Sequence, residues 1–418
     1  MLKGYRIQFI ATISLFFLIN SFYIYAPINS SMMAPIISAL LSVFLLGEIV
    51  FYRKTNYFDK RILFAICVLI FYSLFIVLIN QTFDFTYLKN IFSQILQLFF
   101  IVLTCSLLLN ESKYIAFNIE RLIVYVFVIQ SVIQILAFIF PWVASIVHLT
   151  YTEDKLSRLY DAYGGIRGVA LTGSPGWGIS IGYALVFLLY TKEYVINNKL
   201  SFSAVLIAGL LILGAFFTGR SAFIGVIFGF IYFLLSRDLL VNKIKKIFKF
   251  IVIISFLLIV SYFMFPTVVN DFVDKVFPFV FEFYYRLQDG GAASTKSTDI
   301  LINMWKLNVT DYQLLLGTGW FTDPMTGDYF YGSDVGYLRN LLFGGVIWYF
   351  ILIYYQFSLL GLGGANNYPK NEILFVRILI VMVFVLELKA MTIGFNKYLF
   401  TISILLSISY KIRYEREQ

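Results

Sequence analysis

The chain has 418 residues, of which 60% are hydrophobic, 19% aromatic and 13% charged. A soluble globular protein of this length carries far more polar surface, so the composition excludes that class and predicts an all-α polytopic membrane protein. The net charge of +9 does not indicate nucleic-acid binding, because the basic residues flank apolar segments and the longest polar loop is acidic.

Apolar segments follow one another along the whole chain. A bilayer core of ~30 Å is crossed by about 20 helical residues, and twelve segments approach this length. They are residues 7–26, 32–52, 62–79, 91–109, 121–140, 168–190, 200–217, 221–236, 249–265, 335–360, 373–390 and 397–411. The first begins like a signal peptide but has no small-residue cleavage site, which predicts a retained helix. With no internal repeat or appended soluble domain visible, residues 1–418 are predicted to form a single integral membrane domain.

Lysine and arginine concentrate at alternate ends of these segments, which predicts the orientation. With both termini in the cytoplasm, the cytoplasmic connections hold most of the 32 basic residues, as the positive-inside rule requires. The two longest connections, residues 141–167 and 266–333, then lie on the outer face, and the second joins the ninth and tenth segments. Long connections are usually functional, so polar chemistry is expected on this face.

The sequence lacks the residues that several kinds of catalysis and metal binding need. The only histidine is His148, and Cys67 and Cys105 lie in apolar runs, where a packing role is expected. The sequence has no CxxC, HExxH or Walker A pattern and no Asp-x-Asp pair. It therefore predicts no metal site and no cofactor.

Four arginines lie near the outer ends of predicted spans, where basic residues are disfavoured: Arg167, Arg220, Arg286 and Arg339. A guanidinium binds phosphate oxygens through two parallel hydrogen bonds and keeps its charge at any relevant pH. Arginines that converge at the outer leaflet therefore suit a lipid diphosphate. Structural alternatives are snorkelling for Arg167, a cation–π contact for Arg286 and an intramembrane ion pair for Arg339.

Asp334 is the carboxylate best placed to act as a general base. In the segment GSDVGYLRN, helical spacing puts it on one face with Tyr337. The alternative is structural, because Ser333 or Asp334 is a suitable N-cap for the helix that follows. Trp320 and Tyr329 in the preceding loop offer flat surfaces for sugar rings, with interfacial anchoring as the alternative.

Two further sets of residues inside the predicted spans indicate specific contacts with neighbouring helices. Gly225 and Gly229 have the GxxxG spacing, which indicates close packing between helices. Glu387 and Lys389 lie near the outer end of the eleventh segment, two residues apart. They point to different faces of a helix, so each needs its own partner.

At these residues the chain resembles the bacterial O-antigen and capsule polysaccharide polymerases, which are relatives of the O-antigen ligases. The matching pieces are FFTGRSAF in a mid-chain hairpin, then Arg286, Trp305 and LLLGTGW in the large loop, and GSDVGYLRNLLFGGV at the start of the next helix. Arg167 followed by ten residues and Gly178 matches an arginine–glycine spacing of polymerases. The similarity in layout covers nearly the whole chain.

The resemblance implies a GT-C-like membrane glycosyltransferase of about twelve helices in the bacterial inner membrane, working without metal or nucleotide sugar. Donor and acceptor would be undecaprenyl-diphosphate-linked oligosaccharides, joined into O-antigen or capsular polysaccharide, with a flippase and a chain-length regulator as candidate partners. An acceptor hydroxyl would displace undecaprenyl diphosphate. Catalysis would fall to Asp334 as base and to Arg220 and Arg286 at the leaving diphosphate. Substrate binding would fall to Arg167, Gly178, Trp305, Trp320, Tyr337 and Arg339.

Three other activities are compatible with this class of chain. Ligases typically carry a histidine in the large outer loop; residues 266–333 have none, and Asp334 stands at about that place, which favours a polymerase. A flippase for the same lipid-linked oligosaccharide should have short loops and charges near mid-bilayer. An O-acyltransferase usually needs a histidine early in the chain, and none precedes His148.

Overall fold

A computed structural model describes residues 2–25, 28–46, 60–108, 118–197 apart from 154, 158 and 160–165, and 200–288, 294–306, 309–361 and 372–417. Most of these residues are helical. In chain order the helices are α1 Leu2–Asn20, α2 Ser30–Leu46, α3 Lys60–Ile79, α4 Thr86–Leu108, α5 Ile119–Ile139, α6 Pro141–His148, α7 Trp177–Tyr190, α8 Phe202–Phe216, α9 Ile224–Leu235, α10 Leu240–Met264, α11 Pro266–Val280, α12 Glu282–Gln288, α13 Lys296–Met304, α14 Asp311–Leu316, α15 Gly336–Leu359, α16 Ile373–Glu387 and α17 Lys397–Glu417. The all-α prediction is confirmed. The described residues also contain one short antiparallel pair that the sequence did not predict, β1 Tyr23–Tyr25 with β2 Ile28–Asn29.

Each of the twelve predicted segments contains a helix. Among the described residues, six helices are long and apolar enough to cross a membrane: Lys60–Ile79, Thr86–Leu108, Ile119–Ile139, Trp177–Ile196, Leu240–Met264 and Gly336–Leu359. The others at predicted positions are shorter or less apolar. The described part of the chain is thus helical with six candidate membrane-spanning helices, and a total of twelve spans stays a prediction.

The two long connections also contain helices. Residues 141–167 include α6 and the start of a 3-10 helix, Ile166–Val169; residues 266–333 include α11 to α14. Both cysteines carry free thiols, Cys105 buried as expected and Cys67 exposed.

The chain packs into two compact units. The first comprises residues 1–49, 114–293 and 374–379, and the second comprises 50–113, 294–373 and 380–418. Each unit combines stretches that are far apart in sequence. The chain passes from one unit to the other five times, so the sequence shows no single boundary.

In the first unit, close helix packing depends on the GxxxG glycines. A Cβ on Gly229 would lie 2.6 Å from the Thr191 hydroxyl, and a Cβ on Gly225 would overlap the Ala184 backbone. These glycines let α9 approach α7 closely. The predicted packing role of the motif is therefore confirmed.

The sixth predicted segment, residues 168–190, is helical only in its second part. Pro175 and Gly176, the latter with φ of +77°, precede the first turn of α7 at Trp177. The non-helical residues before them run beside the end of α1, where the Gly173 amide donates to the Asn20 carbonyl (3.0 Å). Proline and a positive-φ glycine shorten the helix at the end where the sequence placed the break.

The second unit is built around α15, which packs against α3, α14 and α17. The helix is interrupted at Gly345, whose φ of +73° and ψ of −171° are far from helical values. Such angles are essentially restricted to glycine. The interruption positions the loop that contains Gly317–Gly319.

Candidate functional site

The interruption of α15 provides a docking place for the segment Gly317–Gly319. Backbone amides of Thr318 and Gly319 donate to the carbonyls of Leu342 (2.6 Å) and Phe343 (2.9 Å), in the turn of α15 just before Gly345. The Thr318 hydroxyl adds a bond to Leu342 (2.9 Å). Loop amides thus replace helical donors that the break removes, as buried backbone groups require. The GTG motif of the sequence therefore fixes the loop to the helix.

A carboxylate from the turn between α3 and α4 holds the continuation of this loop. Asp84 accepts from the backbone amides of Phe321 (2.8 Å) and Thr322 (2.7 Å) and from that of Thr86 (3.0 Å). Burial by itself raises the pKa of Asp84, but hydrogen bonds from the two threonines and Phe321 outweigh it and lower the pKa. The ionised carboxylate is therefore the form that anchors the loop.

Arg339 lies between two aromatic rings contributed by the anchored loop. Its guanidinium carbon is 4.1 Å from the centroid of the Phe321 ring and 3.6 Å from that of Tyr329. The residue is 7% exposed, and its buried Nη2 has no hydrogen-bond partner among the described residues. Opposite ring faces hold the planar cation by cation–π attraction. The Tyr329 side chain also accepts a hydrogen bond from the guanidinium, which leaves Nη2 as the nitrogen without an acceptor among the described residues.

Asp334 brings an accessible carboxylate to the same part of the unit. Part of its side chain is exposed, yet the surrounding protein desolvates the carboxyl and raises its pKa, while the charges of Arg339 and Lys389 act in the opposite direction. The described residues include no ion pair between Arg339 and Asp334 or Asp311. The two groups are near enough to influence each other's charge and are not locked together.

The predicted capping role of Ser333 or Asp334 is wrong. The N-cap of α15 is Val335, and no side chain caps the helix. The helix begins at Gly336, one residue after the start of the predicted segment, and a Cβ there would lie 2.5 Å from a Glu387 oxygen. Glycine at the first helical position lets α15 start against α16, and Asp334 remains outside the helix.

A buried polar chain runs behind Arg339. The Tyr87 hydroxyl donates to Asn340 Oδ1 (3.1 Å), and Asn340 Nδ2 donates to Glu387 (2.8 Å). The backbone amides of Thr392 and Ile393 donate to the other oxygen of Glu387 (2.7 and 2.8 Å). Glu387 thus has partners of its own, as its position in the sequence required. These bonds fix the beginning of α15 against α4 and α16.

The aromatic candidates occupy different environments. Trp305 follows α13, is 43% exposed, and its ring lies 6.4 Å from that of Tyr337. The Tyr337 hydroxyl donates to the Phe384 carbonyl (3.0 Å), so it is held by α16 rather than paired with Asp334. Trp320 is half-buried in the anchored loop. Tyr329, which is 48% exposed and lies against Arg339, and Trp305, which lies beside Tyr337, therefore present the larger exposed ring surfaces.

The remaining candidates belong to the first unit. Arg220 opens the 3-10 helix Arg220–Phe223 and pairs with Glu282 of α12 (2.9 Å), both side chains being about one-fifth exposed. Arg286 is half-buried one turn further along α12. Gly178 is buried in the first turn of α7, and Arg167 lies in the 3-10 helix Ile166–Val169 with its side chain outside the described structure. The structure thus divides the predicted site between two sets of residues.

Sequence reasoning missed Asp84, Phe321 and Asn340. A lone aspartate in a short turn between two spans was the available signal for Asp84, but its partners lie more than 230 positions away. The described residues contain no group of three or more His, Cys, Asp or Glu side chains able to hold a metal ion. Comparisons with protein-family models, with curated proteins and with solved structures give no match.

Proposed function

We propose that the chain is a metal-independent membrane glycosyltransferase that polymerises undecaprenyl-diphosphate-linked oligosaccharide repeats into O-antigen or capsular polysaccharide. The observation that carries the proposal is the guanidinium of Arg339, held between Phe321 and Tyr329 with Nη2 unpartnered and the Asp334 carboxylate nearby. A fixed cation with an open donor suits a diphosphate. An accessible carboxylate suits removal of a proton from a sugar hydroxyl.

The reaction divides between these two groups. An acceptor hydroxyl attacks the anomeric carbon of the donor sugar; its proton passes to Asp334, and the bond from that carbon to the diphosphate oxygen breaks. Arg339 stabilises the negative charge that grows on the leaving undecaprenyl diphosphate. Because Tyr329 covers the guanidinium and is itself half-exposed, its ring moves aside to admit the phosphate and then stacks on a sugar. Arg220 and Arg286, which belong to the first unit, stay catalytic candidates from the resemblance and are tested by their own lysine variants.

The enzyme acts at the outer face of the bacterial inner membrane, with both termini in the cytoplasm. This placement is supported by the lysine and arginine distribution, which puts residues 266–333 and Asp334 outside. Flippase and chain-length regulator are the partners that such a reaction requires, because the first delivers its substrate and the second limits its product.

The decisive experiment uses purified protein and a lipid-linked repeat unit. Asp334→Asn should slow polymerisation about 10²–10⁴-fold, the usual loss for a positioned base. Arg339→Lys keeps the charge but loses the flat surface between the rings, so it should also leave short products. Two matched controls are Asp328→Asn, an exposed carboxylate of the same loop, and Arg377→Lys, an exposed arginine. Both should retain normal activity.

The same assay separates the alternatives. Because burial raises the pKa of Asp334, this base is protonated at a higher pH than an ordinary aspartate. As pH is lowered, wild-type activity should therefore begin to fall at a higher pH than it would with an ordinary aspartate as base. Asp334→Asn should lack that acidic fall. An Asp334→Asn enzyme within about threefold of wild type, far below the range for a lost base, would remove the base from the proposal. In cells, loss of the gene should leave single-repeat surface polysaccharide; a bare lipid core would indicate a ligase or a flippase instead.

A further inference from the structure

An apolar groove opens in the first unit among α7, α8, α9 and α10. Its volume is about 230 Å³, and its walls include Phe187, Ala208, Ile212, Phe230, Phe233 and Phe250. Two small residues, Ala208 and Gly229, are part of the lining. None of the residues proposed for polymerisation lines it.

One end of the groove meets a second, polar cavity of about 500 Å³. Leu200 and Lys246 line both. The polar cavity is also lined by Lys245, Lys249 and Asp238, so three ammonium groups face one carboxylate. The apolar groove therefore ends in a region of net positive charge.

Two of these lysines are held in place by the protein. Lys246 donates to the Val195 carbonyl and to the Asp238 carboxylate (both 2.6 Å), and Lys249 donates to the Leu200 carbonyl (2.6 Å). An ammonium has three donors, so each keeps at least one for another acceptor. Lys245 is exposed. The ammonium groups are thus placed at the groove end before any ligand arrives.

We propose that this groove and its lysines bind an anionic phospholipid. An acyl chain fills the apolar groove, and the phosphate lies against Lys245, Lys246 and Lys249. Charge complementarity selects an anionic headgroup, and the apolar walls require an attached chain. In the predicted orientation this end of the helices faces the cytoplasm, where anionic lipids attract basic segments. The bound lipid packs between α8 and α10.

The test is lipid binding to delipidated, detergent-purified protein by native mass spectrometry. Phosphatidylglycerol should bind in preference to phosphatidylcholine with the same chains. Near a membrane surface one lysine is worth about fivefold in affinity, so Lys245→Gln and Lys249→Gln should each weaken phosphatidylglycerol binding about fivefold. Glutamine at position 249 can still donate to Leu200, which preserves the local fold. The matched control is Lys306→Gln, an exposed lysine of the other unit, which should bind like wild type.

The acyl chain is tested separately. Ala208→Phe fills the groove and should reduce binding of phosphatidylglycerol. Because Ala208 is buried, a phenylalanine there could also disturb folding. Val226→Trp is therefore a second blocking variant, since Val226 lines the groove and is 39% exposed. Unchanged preference for phosphatidylglycerol in a variant that carries both Lys245→Gln and Lys249→Gln would overturn the proposal. Full binding in both blocked variants would do the same, as would inorganic phosphate binding as tightly as the lipid.

Discussion

The interruption of α15 makes a sharp test of how the candidate site is held. Gly345→Ala adds a Cβ that would lie 2.8 Å from the Leu316 amide nitrogen and would overlap the Leu315 carbonyl oxygen. Both obstacles are backbone atoms, which cannot rotate away as a flexible side chain can. The backbone angles add strain of about 1–3 kcal/mol for a non-glycine residue.

Relief of this overlap requires α14 to move away from α15. That movement would lengthen the bonds from Thr318 and Gly319 to the carbonyls of Leu342 and Phe343, each worth about 1 kcal/mol. The expected total is about 3 kcal/mol or more. At roughly 2–4 °C per kcal/mol, the apparent Tm in detergent should fall by about 6 °C or more.

Gly327→Ala is the matched control for this change. Gly327 has nearly the same φ, +72°, but nothing lies within 4 Å of a Cβ built there. Its cost should be limited to about 1–2 kcal/mol of left-handed strain. Fluorescence-detected size exclusion after heating measures both variants beside wild type. Equal Tm values for the two variants would refute the role assigned to contact between α14 and the broken helix.

Three further predictions concern charge and orientation. Because the pKa of Asp84 is lowered in the folded protein, the stability that its carboxylate contributes is complete above the ordinary aspartate pKa of about 4 and is lost as pH falls below that value. Asp84→Asn should therefore lower the Tm at neutral pH and abolish the loss of stability in acid. A variant whose Tm follows the wild-type pH profile would contradict this. Met325 is 93% exposed at a loop tip, so an impermeant maleimide should label Met325→Cys in intact cells, and labelling only after lysis would reverse the predicted orientation. Arg220→Lys and Arg286→Lys should insert normally and lose most polymerisation, whereas wild-type polymer lengths would limit Arg220 to its ion pair with Glu282.

Segments with a continuous local signal could be predicted from the sequence. Apolar runs locate all six described helices that are long and apolar enough to cross a membrane, because burial in a bilayer requires the same composition over many neighbouring residues. The GxxxG contact and the break before α7 were predictable for a similar reason, since glycine and proline act on the backbone where they occur. Helix ends were less predictable, as the start of α10 at Leu240, nine residues before the predicted segment, demonstrates.

The candidate site was only partly predictable. Arg339 and Asp334 were selected because charges are unfavourable near membrane spans, which is a local criterion. The rings beside Arg339 and the carboxylate that anchors them come from separate stretches of chain, and no spacing rule connects Asp84 with Phe321. The ion pair between Arg220 and Glu282 was hidden for the same reason, because 62 residues separate its members.

The geometry around Arg339 depends on the break in α15 through a chain of contacts. Gly345 interrupts the helix, the carbonyls before it bind Thr318 and Gly319, and the loop then continues to Phe321, whose amide is held by Asp84. Only after these steps does an aromatic ring lie against the guanidinium. A change at any one of them should therefore alter Arg339 without touching it, and arginine alone at this position is not sufficient to form the site.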